Sequence, residues 1–237
     1  MIIAYRLILF TIILCLLSAE AKCDDYITAM ESSRRNDYAT SFKLLKPLAD
    51  KGDIRAQGEL GALYLSGRGA PRDTKLGVYW TKEAATKGLA SAQYNLGTIY
   101  MDGQLMPQDF REAMKWFLAA AGQGVPAAQA GVAAMFYEGN GVPQDFNEAF
   151  KWMKIAASNG DPEAQANLGT MYAFGQGTER DVLRGAMWTL IATESPAYSV
   201  VEKQSLRDLS QKTLNKDEIP KVNEMVKICH SRNYKDC

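Results

Sequence analysis

The sequence predicts an all-α fold, a solenoid of stacked helix-turn-helix repeats with helical caps, from three observations. All four Trp lie 36 residues apart, a Gly and an Ala-Gln pair recur with the same period, and the apolar residues between them follow helical spacing. A unit of this length falls below the roughly 40 residues needed for an independent core. Neighbouring repeats must therefore stack to bury a continuous core. The residues in phase are Trp80, Trp116, Trp152 and Trp188; Gly52, Gly88, Gly124 and Gly160; and Gln57, Gln93, Gln129 and Gln165.

Residues 1–21 are typical of a signal peptide. Arg6 precedes an uncharged apolar stretch, Leu7–Leu17, and the small residues around Ala21 fit a signal-peptidase site. The stretch is too short to cross a hydrocarbon layer of roughly 30 Å comfortably. We expect cleavage near Ala21 and a periplasmic or secreted protein whose mature chain does not insert into a membrane. An uncleaved anchor is the alternative, and a lipoprotein is less favoured because neither N-terminal Cys follows a small residue.

Residues 22–51 predict an N-terminal capping half-repeat. A short helix is expected from about Asp25 to Ser33, followed by a helix in phase with the repeats, since Asp37 precedes Asp73 by 36 residues. Leu44 stands where the later repeats have Trp, so this unit is degenerate. A terminal repeat needs a more polar outer side than an internal one, because that side faces solvent.

Residues 52–195 predict four complete repeats of two helices each. The first helix runs from about the Ala-Gln pair to an aromatic residue and ends at a Gly, and the second begins at a phased Asp that is suited to N-capping. We expect each repeat to bury its Trp against the next. The Asp residues that open the second helices are Asp73, Asp109, Asp145 and Asp181.

Residues 196–237 predict a helical cap. Pro196 stands where a closing Gly is expected, and polar helices follow around Val200 to Thr213 and Asp217 to Cys229. Export permits disulfides, and Cys229 and Cys237 enclose a short loop, so we expect these two residues to pair. Cys23 then has no cysteine partner in the mature chain. A reactive or metal-binding cysteine is the alternative. Zinc is poorly supported because His230 is the only histidine.

Charge and motifs exclude several function classes. The 27 Lys and Arg balance the 27 Asp and Glu, which argues against nucleic-acid binding. The chain holds neither a Gly-x-Ser-x-Gly elbow nor a phosphate-binding Gly-Lys loop, so we expect no catalytic residue, cofactor or metal. Asp102 and Glu138 are equivalent in the repeat and would face one groove as paired carboxylates, although solvated acids are the simpler interpretation.

The repeats resemble the Sel-1-like repeat, an α-solenoid unit related to the tetratricopeptide repeat. The resemblance rests on Ala-Gln-Tyr-Asn-Leu-Gly-Thr-Ile-Tyr at 92–100 and on Gly-Asn-Gly-Val-Pro-Gln-Asp at 139–145, and it covers residues 52–195. Departures are minor, such as Ala133 in place of a Gly. The Cys-flanked tail is similar to those of exported bacterial members, which supports the disulfide and a periplasmic location.

The resemblance implies a binding role for the first helices, which line the concave side of related solenoids. The residues of these helices that lie outside the buried stripe differ between repeats. A binding surface would show such variation, and neutral sequence drift on a solvent-exposed surface would show it as well. The partner-binding candidates are Glu59, Tyr94, Asn95, Thr98, Met101, Tyr137, Asn167, Thr170 and Phe174. Met101, Tyr137 and Phe174 are the expected anchors.

The leading hypothesis is a monomeric, non-catalytic scaffold that binds a protein or peptide partner. Some cysteine-rich exported relatives are associated with penicillin binding and weak β-lactamase activity, which is one alternative. Those relatives carry a disulfide in each repeat, whereas residues 24–228 here contain no Cys. A secreted effector that engages host proteins is the other alternative.

Overall fold

A computed structural model describes residues 25–235 and Cys237. The predicted signal peptide and Cys23 lie outside these residues. Within them the chain forms twelve α-helices and no strand, which confirms the predicted all-α class and the helix-turn-helix repeats. The helices are α1 (residues 25–34), α2 (Tyr38–Asp50), α3 (Ile54–Ser66), α4 (Thr74–Thr86), α5 (Ala90–Asp102), α6 (Phe110–Gly122), α7 (Pro126–Glu138), α8 (Phe146–Ser158), α9 (Pro162–Phe174), α10 (Val182–Ala192), α11 (Val200–Thr213) and α12 (Ile219–Ser231).

The chain divides into two compact units, one up to Leu96 and the other from Gly97 to Cys237. The core of the first unit includes Leu45 of α2 and Leu60 of α3. The core of the second includes Leu168 of α9 together with residues of α7, α8, α10 and α12. Each unit thus buries apolar residues contributed by consecutive helices, as stacked repeats require.

The phased Asp residues begin the second helices, as predicted. Asp145, for example, accepts hydrogen bonds at Oδ1 from the backbone N–H groups of Asn147 at 2.9 Å and Glu148 at 3.1 Å. These bonds satisfy donors that the first turn of a helix leaves free. Asp109 makes the same two bonds, and Asp73 and Asp181 each accept one bond, from the N–H group three residues further on.

The first helices extend about two residues beyond the Ala-Gln pair and the aromatic residue, and in the last repeat they reach the start and the stop that the sequence predicts, Asp161-Pro162 and the phased Gly. In the last repeat, α9 begins at Pro162 after the N-cap Asp161, whose side chain accepts from the Ala164 N–H at 2.8 Å. The helix ends at Gly175, which adopts φ 72° in the left-handed region that glycine tolerates best. These residues at the helix ends carry part of the candidate site.

The phased Gln residues tie consecutive repeats together, a role that the sequence analysis did not assign. Each Gln is buried, and its side-chain amide donates to a carbonyl near the C-terminal end of the preceding helix. Each of these carbonyls also accepts from the backbone N–H of the phased Gly three residues further on. The Gln bond therefore supplies a second donor to the carbonyl and a partner for the buried Gln amide. The bonds join Gln57 to Ala49 O at 3.1 Å, Gln93 to Ala85 O at 3.2 Å, Gln129 to Ala121 O at 3.3 Å and Gln165 to Ala157 O at 3.3 Å.

The four Trp are less uniform than predicted. Only Trp188 is fully buried, at 1% exposure, while Trp80, Trp116 and Trp152 are half-buried. Trp188 shares its core cluster with Val222 and Cys229 of α12, which add cover that the earlier repeats lack. Trp116 instead keeps its polar edge near the surface, where Nε1 donates to Glu112 Oε2 at 3.1 Å.

The C-terminal segment folds back onto the last repeats. A disulfide joins Cys229 of α12 to Cys237, with 5.4 Å between the Cα atoms. Lys235, within the closed loop, donates from Nζ to Ser158 O at 3.2 Å and to Asn159 Oδ1 at 3.0 Å. A cation at the C-terminal end of α8 complements the helix dipole. The tail therefore joins α12 to α8.

Among the helices that the structure describes, none is both long enough and apolar enough to cross a bilayer.

Candidate functional site

Helices α7 and α9 place the candidate site in the second unit. Both have 13 residues, and both end at a glycine in the left-handed conformation, Gly139 with φ 77° and Gly175 with φ 72°. The two helices are first helices of consecutive repeats and contact each other directly. Residues 36 positions apart, such as Ala134 and Thr170, therefore occupy equivalent places on the two helices.

A cavity of about 320 Å³ opens between these helices. Its volume lies at the lower end of the range of small-ligand pockets, and its residues combine apolar and polar side chains as such pockets do. We call it the α7–α9 groove. It is lined by Ala134, Tyr137, Glu138, Met153, Glu163, Asn167, Thr170, Met171 and Gln176.

Two methionines form the apolar floor of the α7–α9 groove. Met153 comes from α8 and Met171 from α9, and they are only 5% and 2% exposed. Methionine side chains are unbranched and adapt to irregular apolar shapes. The space above the floor remains open because Ala134 on α7 carries only a methyl group.

Tyr137 forms one wall of the groove and is held in place. Its hydroxyl accepts a hydrogen bond from Gln176 Nε2 at 2.8 Å, and its ring meets Phe146 edge-on with centroids 5.1 Å apart. Its backbone carbonyl accepts from Gln144 Nε2 at 2.7 Å. Tyr137 is therefore half-buried and fixed, whereas the sequence predicts an exposed apolar anchor at this position.

Carboxylates dominate the charge of the groove. Glu138 ends α7 and Glu163 lies in the first turn of α9, and both side chains are exposed. Asn140 donates from Nδ2 to Glu138 Oε2. Among the lining residues, all of which the structure describes, none is Lys, Arg or His. Asp102, the proposed partner of Glu138, is exposed but does not line the groove.

The structure brings together three of the nine predicted partner-binding residues. Tyr137, Asn167 and Thr170 all line the groove, and the last two are exposed. Phe174 lies at the end of α9, outside the lining, and is 73% exposed. Met153 and Met171 were not predicted as floor residues, because second helices and the buried stripes of first helices were attributed to packing alone.

The other five candidates lie on α3 and α5. Asn95 is exposed, while Tyr94, Thr98 and Met101 are half-buried. Glu59 on α3 is also half-buried, and burial raises the pKa of its carboxyl group.

Tyr26 of α1 covers this part of α3. The Arg55 guanidinium lies 4.2 Å from the centre of the Tyr26 ring. Burial raises the pKa of the Tyr26 hydroxyl, and the charge of Glu59 raises it further. Glu59 is thus part of a covered surface.

Within residues 25–235 and Cys237, no group of three or more His, Cys, Asp or Glu side chains is arranged to hold a metal ion.

Comparison with known proteins adds the family. The Sel1 repeat model matches residues 54–89, 90–125, 126–161 and 162–195, more than half of the chain. No curated protein matches the chain significantly.

Solved structures with similar folds include two from bacteria. One is a protective antigen present in uropathogenic Escherichia coli strains that displays an SLR fold, with 26% identity and a TM-score of 0.72 over 82% of this chain. The match spans only 42% of that longer chain. The other is a Sel1 repeat protein from Oxalobacter formigenes, with 26% identity and a TM-score of 0.69, covering 82% of this chain and 85% of that one. Four matched repeats and two repeat-protein neighbours lead to one conclusion: the chain belongs to the Sel1 repeat family.

Proposed function

We propose that this protein is a non-catalytic interaction scaffold that binds a segment of a partner protein in the α7–α9 groove. Sel1 repeat proteins are generally protein-interaction scaffolds, and the family is generally non-catalytic. The observation that carries the proposal is the groove itself, in which Tyr137, Asn167 and Thr170 surround an apolar floor.

The groove has the composition expected of a peptide-binding surface. Met153 and Met171 offer an apolar contact for one large side chain, and the polar rim offers hydrogen-bonding groups for its flanks. Burying one such side chain contributes about 1.5–3 kcal/mol. A micromolar complex requires about 8 kcal/mol. The partner must therefore also contact the helix surfaces beside the groove.

Phe174 and Met101 are the proposed additional anchors. Phe174 is a large apolar side chain that α9 leaves exposed to solvent, and such residues are frequent hot spots when a partner covers them. Met101, near the end of α5, is half-buried and offers a smaller contact. Tyr137 acts as a rigid wall, because its hydroxyl and ring are already engaged.

We place this scaffold in the periplasm or outside the cell. The N-terminal apolar segment and the Cys229–Cys237 disulfide support export, because disulfides persist in oxidising compartments. Intact-mass analysis of protein recovered from the periplasm or medium should give a chain that begins near Lys22 and carries one disulfide. A full-length chain retained in the cytoplasm would contradict this location.

Site-specific photo-crosslinking tests the binding surface. A photoreactive benzoylphenylalanine replaces Thr170, on the rim of the groove, or Asn147, an exposed residue of α8 that does not line it. Illumination of cells that express each full-length variant should give a protein adduct from position 170 and none from position 147. Equal adducts from both positions, or none from position 170, would contradict binding in the groove.

A further inference from the structure

Building on the proposed function, we infer that the bound segment carries a Lys or Arg beside a large apolar residue. The apolar side chain enters the space above Met153 and Met171, and the cation lies against the carboxylates of Glu138 and Glu163. The partner class is thus a cationic, amphipathic segment of a protein.

Charge complementarity is the first argument. The groove presents two carboxylates, and its lining, which lies wholly in the described part of the chain, includes no cationic side chain. Glu138 is also the last residue of α7, where the helix dipole adds partial negative charge. An anionic segment would meet repulsion from both carboxylates, whereas a Lys or Arg would be attracted by both and by the end of α7. The partial positive charge at the start of α9 offsets part of this attraction beside Glu163.

The equivalent surface of α3 supplies the second argument. Arg55 and Glu59 precede Glu163 and Asn167 by 108 residues, three repeat lengths, so they occupy the same positions on α3 as the groove residues do on α9. There the cation Arg55 lies over the ring of Tyr26. On α9 the charge at this position is reversed. The face of an aromatic ring is electronegative, so the Glu163 carboxylate would repel a ring placed as Tyr26 is placed over Arg55. The same carboxylate would attract a cation.

The shape of the groove fits the two parts of such a segment. The methionine floor is adaptable and apolar, and the carboxylates are exposed at the rim rather than buried. A Lys or Arg can lay its aliphatic stem along apolar surface while its charged end stays at the solvated rim. Neither carboxylate needs to be desolvated for this contact, so the ion pairs do not carry the large penalty of buried charges.

The effect of the charges on affinity should be moderate. Exposed ion pairs are weak individually and are screened by salt. We expect replacement of both carboxylates to weaken binding by about tenfold at low ionic strength, and by less at high ionic strength.

A peptide selection tests the inference. A random heptapeptide phage library is selected on the purified, disulfide-bonded protein, and the affinities of recovered peptides are measured by fluorescence anisotropy. Lys or Arg next to Leu, Ile, Met or Phe should be enriched. The recovered peptides should bind Glu138→Gln/Glu163→Gln about tenfold more weakly. They should bind the control Glu179→Gln/Asp217→Asn normally, because it makes the same change in net charge at exposed residues outside the groove.

A second pair of variants separates failure of this inference from failure of the proposed function. Asn167→Trp fills the groove, while Asn147→Trp makes the same substitution on an exposed part of α8. If Asn167→Trp but not Asn147→Trp abolishes peptide binding, and the peptides show no enrichment in Lys or Arg, binding in the groove is upheld and the cationic partner is overturned. Peptides indifferent to Asn167→Trp, or the recovery of no peptide at all, would overturn both proposals. Circular dichroism of each variant confirms that the helices are retained.

Discussion

Helices α3 and α9 present the same repeat positions to different surroundings. On α3, Tyr26 of α1 lies against the exposed Arg55 guanidinium and beside the half-buried Glu59. On α9, the equivalent Glu163 and Asn167 border a cavity of about 320 Å³. The backbone pattern of the two helices is the same, with an Asp N-cap, 13 residues and a C-terminal glycine. The difference therefore lies in the side chains around them.

This difference shows how a repetitive scaffold acquires a specific surface. In the first unit an aromatic residue of the chain itself occupies the surface of α3. In the second unit the small side chain of Ala134 leaves the corresponding surface of α9 accessible. One protein thus contains a covered and an open version of the same helix surface, and each can be converted towards the other.

Closing the groove should have the largest effect. Ala134→Tyr places an aromatic ring on α7 in the space above Met153 and Met171. We expect partner affinity to fall by at least tenfold, about 1.4 kcal/mol, because the cavity is no longer available. Isothermal titration with the crosslinked partner measures this. Ala62→Tyr is the matched control, since Ala62 is the equivalent exposed residue of α3, and equal loss of affinity in both variants would refute a role specific to the groove.

Uncovering α3 should have a smaller effect, on stability. Tyr26→Ala removes the half-buried ring that lies against Arg55, and we expect the free energy of unfolding to fall by about 1–2 kcal/mol. Urea denaturation followed by circular dichroism measures the change. Tyr79→Ala, at a residue that is 51% exposed, provides the comparison. An equal loss in the two variants would mean that Tyr26 does not specifically cover α3.

The smallest predicted effect concerns the pH dependence of stability. Burial raises the pKa of Glu59, so the folded protein holds a proton there at pH values where the unfolded chain has released it. Stability from this group is therefore present below the ordinary pKa of the carboxyl and is lost as the pH rises through the raised value. Glu59→Gln should raise the melting temperature slightly at pH 7 and leave it nearly unchanged at pH 3. Glu179→Gln should change it at neither pH, and a lower melting temperature for Glu59→Gln at pH 7 would contradict the burial of this carboxylate.

Much of the fold follows from the sequence because it is set by local and periodic signals. The phased Asp residues cap second helices in the structure as they should, and the 36-residue period places consecutive helix pairs in register. The buried Gln of each repeat was visible as a phased residue, but its partner was not. Its bond reaches the end of the preceding helix, and helix propensity carries no information about such a contact.

The site was less predictable because it depends on differences between repeats. Asn167 and Thr170 were selected as variable residues of a first helix, and both line the groove. The floor of the α7–α9 groove was not predicted, because Met153 belongs to a second helix and resembles an ordinary core residue. The partial burial of Glu59 could not be predicted either, because it depends on the Tyr26 ring of α1, which lies outside the regular repeats. Similarly, the burial of Trp188 reflects contacts with α12 that no repeat period encodes.

Methyl NMR of the bound complex tests binding in the groove most directly. The protein is labelled with [methyl-13C]methionine and titrated with the segment that crosslinks to position 170. We predict saturable shifts of the Met153 and Met171 methyl resonances, because the ligand packs on both, and little change at Met30 of α1 and Met225 of α12, which do not line the groove. Saturable shifts at Met30 or Met225 with unchanged Met153 and Met171 resonances would contradict the account.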